Sequence, residues 1–149
     1  MEPIIQIAAS FVGSTGFAAL YHLHGKKLWI SGFGGMLCWA SYLGFQIVIE
    51  NAFLTNLFAT MAATAYAEFM ARLEKTPVTV YLISAIIPMV PGGTLYYTMN
   101  YAIAKEWNLF YDFGQRTIMI AAAMAGGIMI TSSFFKMISQ MRLYYAKKK

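Results

Sequence analysis

Two groups of residues in this chain of 149 could do chemistry. The first is Pro88-Met89-Val90-Pro91-Gly92-Gly93-Thr94, in the middle of a long apolar stretch. Pro88 and Pro91 each remove a backbone donor and clash with a carbonyl of the preceding turn, so a helix entering here must break. Gly92 and Gly93 let the chain turn, and Gly92 to Thr94 is where a helix can restart. A restarting helix presents unpaired N–H groups and the positive end of its dipole, which attract a carboxylate. Glycines leave those amides uncovered, Thr94 adds a hydroxyl, and carbonyls released by Pro88 and Pro91 could accept from an ammonium, a hydroxyl or a cation. A kink serving packing alone is the plainer reading of a Pro-x-x-Pro. The adjoining Gly-Gly-Thr and the depth of the break favour a binding role for Pro88, Pro91, Gly92, Gly93 and Thr94.

The second group is Asn56, Thr60, Thr64 and Glu68, each four residues from the next and so on nearly one helix face. Polar side chains within a membrane are costly unless they meet partners or water. The face could line a path, with Glu68 holding a proton or cation. Alternatively, Asn56 and the threonines bond neighbouring helices and Glu68 pairs with Arg72, four residues on and in the favourable order. Other candidates are weaker. Cys38 is the sole cysteine, so neither a disulfide framework nor a thiolate metal site is expected. His22 and His24 lack a nearby third ligand and read as interfacial imidazoles. No nucleophile with a base, paired intramembrane carboxylates or nucleotide-phosphate loop is evident, so neither an enzyme nor a cofactor is expected.

The elements that position these residues are membrane helices. Hydrophobic residues make up 59% of the chain and charged ones 11%, against about 25% charged in soluble domains. The excess of five positive charges is therefore no nucleic-acid footprint. We expect one transmembrane domain over residues 1–149, all-α, with five spans at about 4–23, 28–49, 52–70, 77–104 (broken at 88–93) and 116–138. The N-terminal span has no basic leader or cleavage site and reads as a retained helix. Thr76-Pro77 reads as an N-cap followed by proline at the first helical position. The halves on either side of the break, about eleven residues each, place it near the bilayer midplane, where some transporters bind substrate. An aromatic and charged loop, Lys105 to Phe113, suits the headgroup layer. With the N-terminus outside, nine of the eleven basic residues fall inside, including a tail at 139–149, so the positive-inside rule gives N-out and C-in. That count also favours a crossing fourth segment over a re-entrant one. Small residues at Ser10, Gly13 and Gly16, at Ser31, Gly35 and Gly44, and at Ala123, Gly127 and Thr131 read as packing stripes.

Residues 67–97, AEFMARLEKTPVTVYLISAIIPMVPGGTLYY, resemble the threonine/serine exporter family, specifically its small membrane component. The resemblance rests on an Ala-Glu near one helix end, a Thr-Pro opening the next, then Ile-Pro-x-Val-Pro-Gly-Gly. Size and layout extend it over essentially the whole chain. It implies export of threonine, serine or dicarboxylates such as succinate, in the bacterial inner membrane, as a multi-pass subunit beside a larger exporter-family subunit. By position it implies binding at Pro88, Pro91, Gly92, Gly93 and Thr94 and, more weakly, coupling at Glu68. A subunit that scaffolds the larger partner without touching substrate is the alternative.

Overall fold

The computed structural model describes residues 2–147, and these contain helices but no strand. The helices are α1 (Pro3–Leu20), α2 (Lys26–Val48), α3 (Ala52–Leu73), α4 (Thr79–Ile86), α5 (Gly92–Ile103) and α6 (Trp107–Lys147), with a 3-10 turn, Ile87–Met89, after α4. α1 and α6 are each long and apolar enough to cross a membrane, and α4 with α5 makes a third candidate, bent by 57°. At 23 and 22 residues α2 and α3 have the length of a span. They are more polar: α2 opens on Lys26-Lys27, and α3 carries Asn56, Glu68 and Arg72.

The expected break is present. α4 tightens into the 3-10 turn at Pro88, and α5 restarts at Gly92. The expected start of this segment is corrected. α4 begins at Thr79 after Val78, without a side-chain cap, and the Thr76 hydroxyl is buried without a partner. Asn51 is a true N-cap, its Oδ1 accepting from the amides of Phe53 and Leu54 at 2.9 and 3.4 Å.

The last helix differs most from expectation. α6 runs unbroken for 41 residues, so Trp107, Phe110, Tyr111, Asp112 and Phe113 lie on its first turns and not in a loop. These residues carry no proline or glycine, and Asp112 pairs with Arg116 one turn on at 3.3 Å. Only Ala104 to Glu106 connect α5 to α6, with Lys105 at a positive φ of 60°. The backbone of the basic tail is helical as far as Lys147. Lys148 and Lys149 lie outside the described residues, as do the side chains of Arg142 and Lys147.

Packing follows small residues, though not all those expected. On α1 the buried stripe is Ser10, Ser14 and Ala18, while Gly13 and Gly16 have nothing within 4 Å of a would-be Cβ. On α2 it is Ser31, Gly32, Gly34, Gly35 and Cys38, with Gly35 against Ser14 and Gly34 against Ala85 and Tyr66. Gly44 is exposed. On α6 the expected stripe holds: Ala123, Gly127 and Thr131 are buried.

Helix α2 packs against α1, α3 and α4, α4 also touches α1 and α3, and α6 lies along α3. Gly127 abuts α3 at Leu57 to Met61, and Arg72 binds the Phe135 carbonyl at 3.1 Å. Sequence number rises together along both helices, so α3 and α6 run the same way. The bent α4–α5 pair therefore carries the chain back along the length of the bundle. Its halves have different neighbours: α4 packs on α2 and α3, and α5 packs chiefly on α6 through Tyr97 and Tyr101 against Phe113.

Candidate functional site

The break is built by three backbone features. Pro88 falls in the 3-10 turn, where the Val90 amide donates to the Ile87 carbonyl at 3.2 Å. That bond occupies the carbonyl Pro91 would otherwise leave free. Pro91 then adopts φ −75° and ψ 50°, and the Gly92 amide donates to the Val90 carbonyl at 2.7 Å. This is an inverse γ-turn. The Pro91 carbonyl accepts from the Leu95 amide and the Thr94 hydroxyl, both at 3.0 Å.

The inventory of free groups is thereby narrower than the sequence suggests. The Gly92 amide and the Thr94 hydroxyl proton are spent locally. The amides of Gly93 and Thr94 make no hydrogen bond within the described chain. No side chain caps them, and nothing lies within 4 Å of a would-be Cβ at Gly92 or Gly93. α5 buries none of its residues and exposes Leu95, Tyr96, Tyr97, Met99 and Ile103. The two amides thus have neither a partner nor a covering side chain, and the helix they open is largely exposed.

The break also meets α3. Met89 is buried with Cys38, Ala59, Ala63 and Met124, and its Sδ lies 3.9 Å from the Thr60 hydroxyl. A cleft of about 170 Å³ borders the Pro88–Val90 turn, walled by Trp39, Tyr42, Asn56 and Ile120. A second cleft, of about 250 Å³, lies against Pro88 between Trp39 and Gln6, Ala9 and Ser10 of α1. Trp39 stands between the two, its indole N–H donating to Gln6 Oε1 at 3.2 Å.

All four stripe residues are buried, but they do not share one environment. The Thr60 hydroxyl donates to the Asn56 carbonyl at 2.8 Å and the Thr64 hydroxyl to the Thr60 carbonyl at 2.7 Å. The Asn56 side-chain amide donates to the Ala52 carbonyl at 2.8 Å. Bonds to α3's own backbone, the usual resort of a hydroxyl inside a helix, thus predominate, and of the expected bonds to neighbouring elements the contact of Thr60 with Met89 Sδ is present. Asn56 and Thr60 adjoin the break. Glu68 lies eight residues beyond Thr60, roughly 12 Å along the axis, and is not brought to it.

Glu68 instead meets Arg72. The Arg72 guanidinium lies 3.2 Å from Glu68 Oε2, binds the Phe135 carbonyl and sits 5.0 Å above the Phe135 ring centroid. It ties α3 to α6 at this end. On the same seam, one turn before Phe135, Thr131 is buried and its hydroxyl has no partner. The sequence signalled Thr131 only as a packing residue. Trp39 and Tyr42 carry no signal in the sequence, and Met89 none beyond its place in the Pro88–Thr94 stretch, because aromatic and Met side chains at helical spacing ordinarily fill cores. His22 and His24 are exposed between α1 and α2.

A helical chain with long apolar spans and a helix broken beside buried polar residues is an integral membrane protein. The family model described as Threonine/Serine exporter, ThrE, matches residues 6–134. The chain belongs to this family of membrane transporters, and the exporter resemblance of residues 67–97 holds over nearly its whole length. No curated protein and no solved structure matches the chain.

Proposed function

We propose that the chain is one membrane subunit of a secondary exporter of small carboxylate-bearing metabolites, such as threonine, serine or dicarboxylates including succinate. The substrate carboxylate is held by the Gly93 and Thr94 amides at the head of α5, with Pro88, Pro91 and Gly92 shaping the turn. The observation that carries this reading is the pair of unpartnered amides at the start of a twelve-residue helix, with no side chain covering them. A helix dipole favours an anion there.

In this reading five segments cross the bacterial inner membrane, N-out and C-in, with α4 and α5 as one broken crossing. The parallel course of α3 and α6 supports a crossing, since the segment between them must return to the opposite end. A broken helix within lipid needs protein or water around it. Here the free amides and the exposed face of α5 lie open on this chain alone. That supports a larger family subunit completing the site. Asn56, Thr60, Thr64 and Glu68 form the polar face of α3, with Asn56 and Thr60 at the substrate end and Glu68 as the coupling carboxylate, held by Arg72 between cycles.

The test is efflux from cells producing the chain with its partner, with threonine and threonine amide as competing substrates. The amide lacks the carboxylate, so it should neither leave the cell nor slow threonine. Equal competition by both would refute carboxylate recognition at α5. Threonine efflux that needs only the partner would favour the scaffold alternative.

A further inference from the structure

The cleft behind the break has a polar group for which the carboxylate reading gives no use. Asn56 is 5% exposed and lines the cleft with Trp39 and Tyr42 of α2. Its side chain donates to the Ala52 carbonyl at 2.8 Å. A carbonyl only accepts, so the nitrogen must face Ala52 and the oxygen must face away from it. Asn56 Oδ1 makes no hydrogen bond within the described chain. It is also absent from the fully buried atoms that lack a partner, so it reaches the open space of the cleft. An amide oxygen held this way awaits a donor.

The walls beside it suit a positively charged donor. The rings of Trp39 and Tyr42 lie 5.1 Å apart, inclined by 32°. The bond from the indole to Gln6 fixes the plane of Trp39. Aromatic faces attract ammonium groups, most strongly when water is excluded. No acidic side chain lines the cleft. A divalent cation therefore finds no carboxylate there to balance its charge. At about 170 Å³ the cleft is below the range of roughly 300–1,000 Å³ that holds drug-sized ligands. It matches one end of a small metabolite. Val90, on its rim, is two residues from Gly92, at most about 7 Å along the backbone.

We propose that this cleft is an ammonium subsite, in which Asn56 Oδ1 accepts from the protonated amine of the substrate while Trp39 and Tyr42 face its charge. The proposal rests on the carboxylate reading of α5 and extends it: one molecule bridges the break, with its carboxylate at the Gly93 and Thr94 amides and its amine at Asn56. Substrates with both groups then outcompete those with carboxylates alone. Asn56 becomes a specificity-determining residue and not a packing residue of the α3 face.

The test is efflux competition in cells producing the chain with its partner, comparing serine with 3-hydroxypropanoate, which is serine without its amine. Asn56→Leu removes the acceptor and is expected to raise the half-saturating serine concentration roughly tenfold, the loss of one hydrogen bond to a charged group. Inhibition by 3-hydroxypropanoate should stay at its wild-type value. Trp39→Leu leaves Asn56 in place and should weaken serine in the same selective way, which guards against misfolding of the Asn56 variant. Variants that weaken both compounds equally, or neither, would overturn the subsite and leave the carboxylate reading standing. Wild-type protein that takes neither compound would overturn both.

Discussion

Gly127 offers the sharpest quantitative prediction, because the α3–α6 seam closes on it. A Cβ there would lie 2.8 Å from the Leu57 carbonyl oxygen, 3.1 Å from Thr60 Cβ and 3.3 Å from the Met61 nitrogen. Two of these are backbone atoms, so relief requires α3 itself to move by about half an ångström toward normal contact distance. Overpacking of this kind costs about 1–3 kcal/mol. Replacing glycine by alanine within a helix returns about 1 kcal/mol of propensity. Gly44→Ala isolates that second effect, since nothing lies within 4 Å of its Cβ. Gly126→Ala meets only the flexible tip of Leu57, at 3.3 Å. Unfolding of the three variants in mild detergent, followed by tryptophan fluorescence, should therefore rank Gly44→Ala and Gly126→Ala above Gly127→Ala. The gap should be about 1–3 kcal/mol, or roughly 5- to 150-fold in the unfolding equilibrium. A Gly127→Ala protein as stable as Gly44→Ala would refute the close approach of α6 to α3.

Four further outcomes are expected. Arg72→Met leaves the Glu68 side chain, 7% exposed, without its counter-charge and should destabilise by about 2 kcal/mol, since Arg72 is itself 39% exposed and partly screened. Glu68→Gln keeps an acceptor for Arg72 and should cost less, while flattening the pH dependence of efflux; unchanged efflux at every pH would leave Glu68 only its structural pairing. Cys38 is the sole cysteine, so with Cys38 replaced by serine, a cysteine at Gln140 should react with impermeant reagents only from inside and one at Asp112 only from outside. The reverse pattern would overturn N-out, C-in. Intact mass in mild detergent should show a second, larger polypeptide with this chain; a transport-competent assembly of this chain alone would contradict the subunit reading.

The sequence disclosed what depends on local covalent chemistry. Two prolines and two glycines in an apolar run dictate a break, and the break stands where they place it. Helix starts were read less well. Thr76-Pro77 has the residues of a cap, yet the chain turns through Val78 before α4 begins. The aromatic start of α6 looked like a loop because its residues suit an interface, although nothing in them stops a helix. Packing stripes were legible only where a second helix confirmed them: Gly127 meets α3, but Gly13, Gly16 and Gly44 face outward. A sequence shows which faces have small residues but not which partner a face meets. Contacts across helices, such as Trp39 with Gln6 and Met89 with Thr60, lie 33 and 29 residues apart and left no trace in the spacing. The use of the donors at the break was also hidden, because the closure of Gly92 on Val90 depends on the angles of Pro91.

The central claim is that the amides opening α5 hold the substrate carboxylate, and Gly93→Leu tests it most directly. No atom lies within 4 Å of a Cβ at Gly93, so the larger side chain has room in this chain and covers the amides without forcing the fold apart. Threonine efflux and co-purification of the partner should be measured on the same cells. The account predicts that efflux is abolished while the partner is recovered in wild-type amount. Wild-type efflux by the assembled Gly93→Leu protein would contradict it.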